Sequence, residues 1–568
     1  MKRKSILSTL FLFLGLSVSA QTYTNPVFDF DTPDPSIQRA PDGTFWCYAT
    51  GCQTRKSKDL ITWSNVNDVF SRPTWNDTIV EEKGRKRKKN YNVWACDCNY
   101  VDGKYVMYYA LALWGNTTRT GIGVATGTRP DKLEDVGRMF RSDEIGVKNS
   151  IDACYVEEFD KKYLVWGSFH GLYISELSSD GLKVKDFQNK TKLAGNAFEG
   201  VMIYKRGRYY YMFASVGSCC EGANSTYRTV VGRSTNLMGP YVNKEGGKMS
   251  ENNYTTIIKG NDRWKGPGHN SEIITDDNGD DWIMYHAYDA NEPSKGRVLL
   301  LDKIVWDKDD WPTVSDGTPS TTPQQAPFFY SGDGANFTYR FDNMDMSKSL
   351  FKGWKTVAEN CNVFNSGEGT PFEPVCFVLG GNFDIHQTKS DLPNGLYEFR
   401  VDGFSNKGHV ELYVNECSAH ALSSAHCSLQ PENNSEQLLS GKYSQSVYGL
   451  VLDGTLTIGM RSTKILSKTE RYSAGNFQVI YRKENTLACE KVFESYRQKA
   501  KEILSSKKHF YDEHRTALKE CLTSFETAED SVQRYNILVT LAKTLQNIDH
   551  KTVLGNSPQN GHYTELKK

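Results

Sequence analysis

Short stretches in which hydrophobic and polar residues alternate fill the chain from residue 22 to about residue 314. Clear examples are residues 44–48, 104–109, 208–213 and 281–286. The examples follow turns that contain Gly or Asp, such as Asp102-Gly103, and no long helical pattern interrupts the series. Alternation with a period of two between such turns is typical of β-strands. We therefore predict an all-β domain over residues 21–314.

The pattern changes in the second half of the chain. Residues 315–335 are rich in Ser, Thr, Pro, Gln and Gly, which predicts a linker or an irregular edge segment. Strand patterns return over residues 336–484, for example at 395–401 and 410–414. From these patterns we predict a second, smaller domain that is a β-sandwich.

A helical period follows over residues 485–550. Two hydrophobic stripes recur at helical spacing: Val492, Tyr496, Ala500 and Ile503, and then Leu538, Leu541, Leu545 and Ile548. This spacing places each stripe on one face of an α-helix. We predict a helical hairpin or bundle of two or three helices with a break near Thr523 or Ser524. Residues 551–568 are predicted to form a flexible tail.

The N-terminus has the pattern of an export signal. Lys2-Arg3-Lys4 precedes an apolar run over residues 6–18, and small residues follow at Ser19-Ala20. A basic start, a short apolar core and small residues at the cut are typical of a signal peptide, which we place at residues 1–20. No Cys follows the predicted cut, so we expect no lipid anchor, and the run is too short for a membrane span. We expect a secreted or periplasmic protein.

Composition narrows the classes of partner. Basic and acidic residues are balanced at 68 each, so nothing favours nucleic acid or a membrane surface. Aromatic residues make up 12% of the chain, which suits a β-rich, sugar-binding protein. We also expect the protein to be a monomer.

The 13 Cys residues lack zinc-site spacing and predict buried thiols with one or two bridges. The charge run at residues 81–89 predicts a solvated loop, or alternatively a contact with acidic polysaccharide.

Five short acidic or His-bearing segments recur along the first 270 residues. They contain Asp34, Asp97, Asp152, Glu199 and His269, at intervals of 63, 55, 47 and 70 residues. A period of about 50 to 60 residues built from short strands indicates the blades of a β-propeller. Because the matching point of every blade faces one axis, we expect these side chains to meet in one funnel.

Three of these residues suit the hydrolysis of a glycosidic bond, which uses two carboxyl groups on opposite sides of a sugar. Asp34 lies between two prolines and is the candidate general base. Glu199 follows the apolar Ala197-Phe198, which favours a protonated general acid. Asp152 is the candidate third carboxylate that raises the pKa of Glu199. The alternative for each residue alone is a turn cap, and for His269 a satisfied polar group rather than an ion ligand.

Several motifs resemble the arabinanases of glycoside hydrolase family 43 in order and spacing over residues 22–314. They are residues 219–227 (CCEGANSTY), 231–234 (VGRS), 166–171 (WGSFHG), 114–116 (WGN), 120–125 (TGIGVA), 266–271 (GPGHNS) and 285–289 (YHAYD). The family usually has Pro where this chain has Cys96, Ala153-Cys154 and Gly200-Val201. The carboxylates are retained but their backbone supports differ, so the cleavage mode stays open.

The resemblance implies a five-bladed propeller that hydrolyses α-1,5-linked L-arabinofuranose chains with inversion. It implies Asp34 as general base, Glu199 as general acid and Asp152 as pKa modulator. His269 is then expected to hold Ca²⁺ at the propeller centre, largely through water. The expected substrate-binding residues are Trp94, Asn149, Ser168, Phe169 and Phe198.

We favour an endo-acting arabinanase of pectin side chains. An exo-acting α-L-arabinofuranosidase or a β-xylosidase on the same fold is the alternative among enzymes. A non-catalytic glycan-binding propeller is the alternative from another class, although a binding protein would not need all three carboxylates. The chain has no Gly-x-Ser-x-Gly elbow and no phosphate-binding Gly-Lys-Ser/Thr loop, so esterase and nucleotide-binding functions have no support.

Overall fold

The computed structural model describes residues 21–550 except 68, 71–72, 76, 83–84, 160, 330–331, 350–351, 367–373 and 507–511. The side chains of residues 77–90, 439 and 549–550 are also outside the description. The predicted signal peptide and the predicted tail therefore lie outside the described residues.

Five four- or five-stranded antiparallel sheets form the first domain, as a β-propeller requires. Strand β1 is Thr22–Tyr23, and blade 1 contains β2 Ser36–Arg39, β3 Phe45–Ala49, β4 Gln53–Ser57 and β5 Ser64–Val66. A hairpin of β6 Asp77–Glu82 and β7 Arg85–Asn90 precedes blade 2, which contains β8 Asn92–Val101, β9 Lys104–Leu113, β10 Asn116–Arg129 and β11 Lys132–Arg141. The short helix α1 Ser142–Ile145 follows. The charge run, expected to be a loop, thus lies largely in this hairpin.

Blades 3 to 5 continue the same pattern. Blade 3 contains β12 Cys154–Glu158, β13 Lys161–Trp166, β14 Leu172–Glu176 and β15 Thr191–Ala194. Blade 4 contains β16 Glu199–Arg206, β17 Tyr209–Val216, β18 Arg228–Ser234 and β19 Thr255–Ile258. Blade 5 contains β20 Trp264–Gly268, β21 Ile274–Thr275, β22 Asp281–Asp289, β23 Val298–Trp306 and β24 Pro312–Val314. The first strands of blades 1 to 4 contact one another in turn, so they line the propeller axis.

The segment predicted as a linker or an edge segment is tied to the propeller. Within it, β25 Gln324–Gln325 pairs with β1 in an antiparallel two-stranded sheet. The start of the propeller is thus held to the chain that follows blade 5. The edge-segment alternative describes this part of the chain better than a free connection does.

The second β region consists of two layers around one core. Its strands are β26 Lys355–Glu359, β27 Asn362–Ser366, β28 Val375–Lys389, β29 Gly395–Ser405, β30 Val410–Val414, β31 Cys417–His420, β32 Ser444–Val451, β33 Leu456–Ser462 and β34 Leu466–Lys483, with helix α2 Pro431–Leu439 after β31. The first half of β28 pairs with β27 and β34, and its second half pairs with β26 and β33. The change falls at Gly380 and Gly381, which adopt φ values of 66° and 67° that suit glycine. Buried Val378 and Ile385 thus belong to different layers of the same core.

Three helices complete the described chain: α3 Thr486–Ser505, α4 Asp512–Thr527 and α5 Ser531–His550. Their predicted stripes are largely buried, and Ala488 and Val492 pack with Leu396 and Leu450 of the sandwich. The predicted break near Thr523 or Ser524 is wrong, because both residues lie inside α4. The Thr523 hydroxyl donates to the Lys519 carbonyl one turn earlier in that helix, and the helix continues past it.

Among the described residues, no helix is both long enough and apolar enough to cross a membrane.

Candidate active site

Asp34 lies immediately before the inner strand of blade 1, where Pro33 and Pro35 restrict the backbone on both sides. Its φ of 57° is in the left-handed region, which Asp tolerates better than most residues. Oδ1 lies 3.1 Å from Nη1 of Arg297 and 3.2 Å from Nδ1 of His269. The Thr50 hydroxyl donates to Oδ2 across 2.5 Å. The carboxylate is therefore fixed by partners from two blades, Thr50 of blade 1 and His269 and Arg297 of blade 5.

Charge keeps Asp34 ionised. Burial alone would raise its pKa, but the Arg297 guanidinium and His269 hold the pKa of this carboxyl well below its usual range. An ionised carboxylate can accept a proton from water at neutral pH. Asp34 thus has the charge state that a general base needs.

Asp152 precedes the inner strand of blade 3 and also has a left-handed backbone, with a φ of 57°. Its Oδ2 accepts a hydrogen bond of 3.2 Å from the backbone N–H of Gly200. Burial raises the pKa of Asp152 to about 7, with contributions from the negative charges of Glu199 and Asp34. This carboxyl therefore holds a proton more readily than an exposed Asp does.

Glu199 is the first residue of β16, the inner strand of blade 4, and is buried. Its Oε2 accepts a hydrogen bond of 2.7 Å from the Ser168 hydroxyl, which in turn accepts one of 2.9 Å from Nδ2 of Asn149. Burial raises the pKa of Glu199. Because Asp152 and Glu199 repel each other when both are ionised, the pair favours holding one proton. A protonated Glu199 can donate to a leaving oxygen.

His269 completes the axial group of residues. Its backbone N–H donates to the Ser215 hydroxyl across 2.8 Å, and its φ is 46°. A Cβ at Gly200 would lie 3.0 Å from the His269 ring, so glycine at that position lets the ring approach the strand closely. Burial alone would lower its pKa, but the Asp34 carboxylate raises the pKa of His269 to about 9.

The residues on the axis fit a hydrated calcium ion better than a directly coordinated one. Calcium takes six to eight oxygen ligands, and in the described part of the chain no three His, Cys, Asp or Glu side chains surround one position. However, the side-chain oxygen Oδ1 of Asn270 is buried without a hydrogen-bond partner among the described residues. Such atoms are normally satisfied by ordered water. An ion held through water, as the resemblance implies, fits these residues.

A cavity of about 510 Å³ opens above the carboxyl groups, and we call it the axial cavity. Asp34, Asp152, Glu199 and His269 line it, together with the expected Trp94, Asn149, Ser168 and Phe169. On one side the Trp94 ring lies 6.1 Å from the ring of Trp114, which is 75% exposed. The adjacent Cys219 and Cys220, joined in a disulfide, also line it. Sugar rings pack well on such apolar surfaces.

One expected substrate-binding residue does not reach the axial cavity. Phe198 is fully buried in the propeller core, where its ring lies edge-on to Tyr254. Neighbouring side chains in extended backbone point in opposite directions. Because Glu199 faces the axial cavity, Phe198 faces away from it, and the prediction that it contacts sugar is wrong.

Asp97, which the repeats place with the axial residues, does not line the axial cavity either. It is buried below it, and Oδ2 accepts a hydrogen bond of 2.6 Å from the backbone N–H of Tyr155. The sequence reasoning also missed Thr50, Arg297 and Tyr227, which line the axial cavity. Thr50 is close to Asp34 in the chain, but Arg297 is 263 residues away and no local pattern identifies it.

The blade topology and the paired carboxyls in the axial cavity define a β-propeller glycoside hydrolase. Comparison with protein families agrees, because the model of Glycosyl hydrolases family 43 matches residues 23–312. The chain belongs to glycoside hydrolase family 43.

Individual relatives are each similar to about half of the chain. The extracellular exo-alpha-(1->5)-L-arabinofuranosidase ArbA of Cellvibrio japonicus is 32% identical over 311 residues, which cover 50% of this chain and 87% of that protein. The extracellular endo-alpha-(1->5)-L-arabinanase 1 of Bacillus subtilis is 32% identical over 280 residues, covering 48% and 82%. The solved alpha-L-arabinanase of Cellvibrio cellulosa complexed with arabinohexaose is 30% identical, covers 50% of this chain and 96% of that one, and has a TM-score of 0.46.

Proposed function

We propose that this protein hydrolyses α-1,5-L-arabinofuranosidic bonds in arabinan. The observation that carries the proposal is the division of charge in the axial cavity. Asp34 is held ionised by Arg297, whereas burial raises the pKa of Glu199 and of Asp152. Carboxyl groups whose pKa values are moved apart are typical of an acid–base pair. The names of the Cellvibrio japonicus and Bacillus subtilis relatives support arabinan as the substrate.

In the proposed reaction, Asp34 takes a proton from water, and the water oxygen bonds to the anomeric carbon. Glu199 gives its proton to the leaving oxygen as the glycosidic bond breaks. Because water attacks the face opposite to the leaving group, the product has inverted configuration. Asp152 keeps Glu199 protonated before each turnover, and solvent exchange restores both protonation states. Trp94, Phe169, Asn149 and Ser168 would orient the sugar.

Internal cleavage is the proposed mode. The exposed Trp114 ring extends the Trp94 surface along the wall of the axial cavity, which offers a platform for a second sugar beside the one that is cleaved. An exo-acting arabinofuranosidase and a β-xylosidase remain the second candidates, since the relatives include both an exo-acting and an endo-acting enzyme. A purely glycan-binding propeller is less well supported, because burying three carboxyls is costly and gives no benefit in binding neutral sugar.

The substrate and the stereochemistry can be tested together. Purified protein would be incubated with linear arabinan, xylan and the aryl glycosides of α-L-arabinofuranose and β-D-xylose. Proton NMR of the first turnovers would identify the anomer released. Faster hydrolysis of arabinan with release of the inverted anomer would support the proposal. Preferential xyloside hydrolysis or a retained anomer would contradict it.

A calcium ion at the propeller axis is part of the proposal, with His269 as the residue that would hold it, largely through water. When bound, the ion supplies positive charge near the carboxylates. The test is calorimetric titration of the chelated protein with Ca²⁺, together with its thermal unfolding. One site that disappears in His269→Ala would support the ion, whereas no heat of binding and an unchanged Tm would contradict it.

Export is also proposed, from the pattern of residues 1–20 and from the two relatives named extracellular. Expression in a bacterial host followed by N-terminal sequencing would test it. We expect the mature chain to begin at Gln21 outside the cytoplasm. Full-length protein retained in the cytoplasm would contradict export without affecting the proposed chemistry.

A further inference from the structure

A groove runs between the propeller and the sandwich, and the proposed reaction makes no use of it. It consists of two adjoining cavities of about 580 Å³ and 300 Å³. Lys205, Asp345 and Ser347 line both of them. The larger cavity lies against the sandwich, and the smaller one lies against the inner strands of blades 1 to 4. We call the two together the interdomain groove.

The interdomain groove lies at the opposite end of the inner strands from the axial cavity. Strand β12 begins just after Asp152 and brings Glu157 to the groove, and β16 runs from Glu199 to Lys205. A strand rises about 3.3 Å per residue, so these pairs are separated by roughly 16 to 20 Å. A ligand in the groove would therefore not compete with a sugar in the axial cavity.

Buried polar contacts fix the two domains on either side of the groove. The side chain of Glu157 is 7% exposed and forms an ion pair of 3.0 Å with Lys348 and a second one with Lys352. The backbone N–H of Phe159 donates to the Ser347 carbonyl across 2.8 Å. Truncating one partner of such a buried pair is costly. The groove is therefore a built feature of the fold.

The lining of the groove combines aromatic rings with hydrogen-bonding side chains. Tyr100 in the smaller cavity is 43% exposed, and the ring of Tyr339 in the larger one lies 4.0 Å from the Arg39 guanidinium. Asp402 faces the larger cavity, where Asn476 donates to its Oδ2 across 2.7 Å. Rings present a flat apolar surface, and carboxylates and amides bind hydroxyl groups. This combination suits a saccharide.

The charges of the lining favour a neutral ligand. Its acidic residues are Glu157, Asp345 and Asp402, and its basic residues are Lys205 and Lys348. Glu157 is already paired with Lys348. No excess of positive charge remains among the described lining residues, so phosphate or uronate groups would gain little by binding there.

We propose that the interdomain groove is a second binding site for a neutral oligosaccharide segment of the polymer that the axial cavity cleaves. The identity of the sugar as arabinan rests on the proposed function. One segment of the polymer would be held in the groove while another is cleaved. Such bivalent binding raises the local concentration of substrate without any change in the chemistry.

A matched pair of substitutions at Ser347 tests the proposal. Ser347→Trp fills the section that both cavities share, whereas Ser347→Ala removes the same hydroxyl and leaves the space open. Binding of a linear α-1,5-arabino-oligosaccharide would be measured by equilibrium dialysis in Asp34→Asn protein, in which hydrolysis is strongly slowed. We expect two oligosaccharides per chain in this parent and in its Ser347→Ala variant, and half that capacity in its Ser347→Trp variant.

Catalysis provides an independent readout with Asp34 intact. Ser347→Trp should raise KM for polymeric arabinan by at least about 10-fold and leave kcat/KM for a trisaccharide unchanged. Circular dichroism and Tm would show that the variant folds. A capacity of one in the parent, or a capacity of two that persists in Ser347→Trp, would overturn the groove as a sugar site.

The failure of the groove proposal can be separated from failure of the proposed function. If the wild-type enzyme hydrolyses arabinan but the Asp34→Asn protein binds only one oligosaccharide, the groove proposal alone is overturned. If the wild type does not hydrolyse arabinan and the Asp34→Asn protein does not bind the oligosaccharide, both are overturned.

Discussion

The guanidinium of Arg297 lies 3.1 Å from Oδ1 of Asp34, although the two residues are 263 positions apart in the chain. Because of this contact, Asp34 has a different charge state from Asp152 and Glu199, which line the same cavity. Without a positive charge at this place, burial would raise the pKa of all three carboxyls. The division between base and acid therefore depends on Arg297 together with His269, both from blade 5.

The first prediction concerns this contact. Arg297→Gln should raise the pKa of Asp34, because burial is then opposed by fewer positive charges. The acidic limb of the kcat/KM profile should move to higher pH by about 1 to 3 units. Arg297→Lys is the matched control, since it keeps the charge, and its limb should stay near that of the wild type. If the acidic limb of the Arg297→Gln profile stays at the wild-type pH, Arg297 does not lower the pKa of Asp34.

The second prediction distinguishes Glu199 as the acid. Glu199→Gln keeps the shape and the hydrogen bond from Ser168 but cannot donate a catalytic proton. Activity on arabinan should fall by about 10² to 10⁴-fold. An aryl arabinofuranoside with a good leaving group needs little protonation and should lose far less. Measured kcat values that fall equally on both substrates would assign Glu199 another role.

The third prediction concerns the coupling of Asp152 to Glu199. Asp152→Asn removes a negative charge beside Glu199, so Glu199 should lose its proton at lower pH. The basic limb of the kcat/KM profile should shift downward by about 1 unit. Asp143→Asn, a change at an exposed position of the short helix α1, serves as control and should leave the profile unaltered. A basic limb at the wild-type pH in Asp152→Asn would remove Asp152 as the modulator.

Below the axial cavity, Asp97 and Glu272 form a buried carboxyl pair that links several blades. The two side chains are hydrogen-bonded to each other, Glu272 accepts a bond of 2.8 Å from the Ser36 hydroxyl, and Asp97 accepts one from Tyr155. Burial raises the pKa of both carboxyls. The folded protein thus binds more protons than the unfolded chain at this pair.

The fourth prediction follows from linkage. The pair contributes its full stability below the unfolded pKa values of about 4, and this contribution is lost as pH rises through the higher folded values. Tm should therefore fall as the pH rises above about 4. Glu272→Gln replaces the shared proton by an amide hydrogen, so its Tm should fall less over this range. Calorimetry that gives the same slope for both proteins would contradict this role of the pair.

Much of the propeller and its site could be predicted because they depend on local patterns. Alternation between Gly and Asp turns predicted the strands, and the recurring segments located Asp34, Asp152, Glu199 and His269. Asp97 differs because the inner strand of blade 2 begins before the recurring segment, whereas those of blades 1, 3 and 4 begin within or after it. In β8 the residue that lines the axial cavity is Trp94, near the start of the strand. Asp97, three positions later, lies deeper along the axis.

Other features depend on contacts between distant parts of the chain. No local signal pairs Arg297 with Asp34 or Glu272 with Asp97, because each pair comes from different blades. Phe198 could not have been excluded from the sequence, because the adjacent Ser168 and Phe169 both line the axial cavity; its burial in the propeller core decides the matter. The interdomain groove could not be predicted, because it depends on how the sandwich contacts the propeller through Glu157 and Lys348.

The most direct test of the account is the product pattern from linear α-1,5-arabinan, sampled early, for the wild type and for Asp34→Asn. We expect the wild type to release a spread of oligosaccharides. Asp34→Asn should bind arabinan but release products about 10² to 10⁴-fold more slowly. Release of arabinose or of one short product from the outset would show that the enzyme is exo-acting and does not cleave internally. Near wild-type release by Asp34→Asn, or no release by the wild type, would contradict the assigned chemistry.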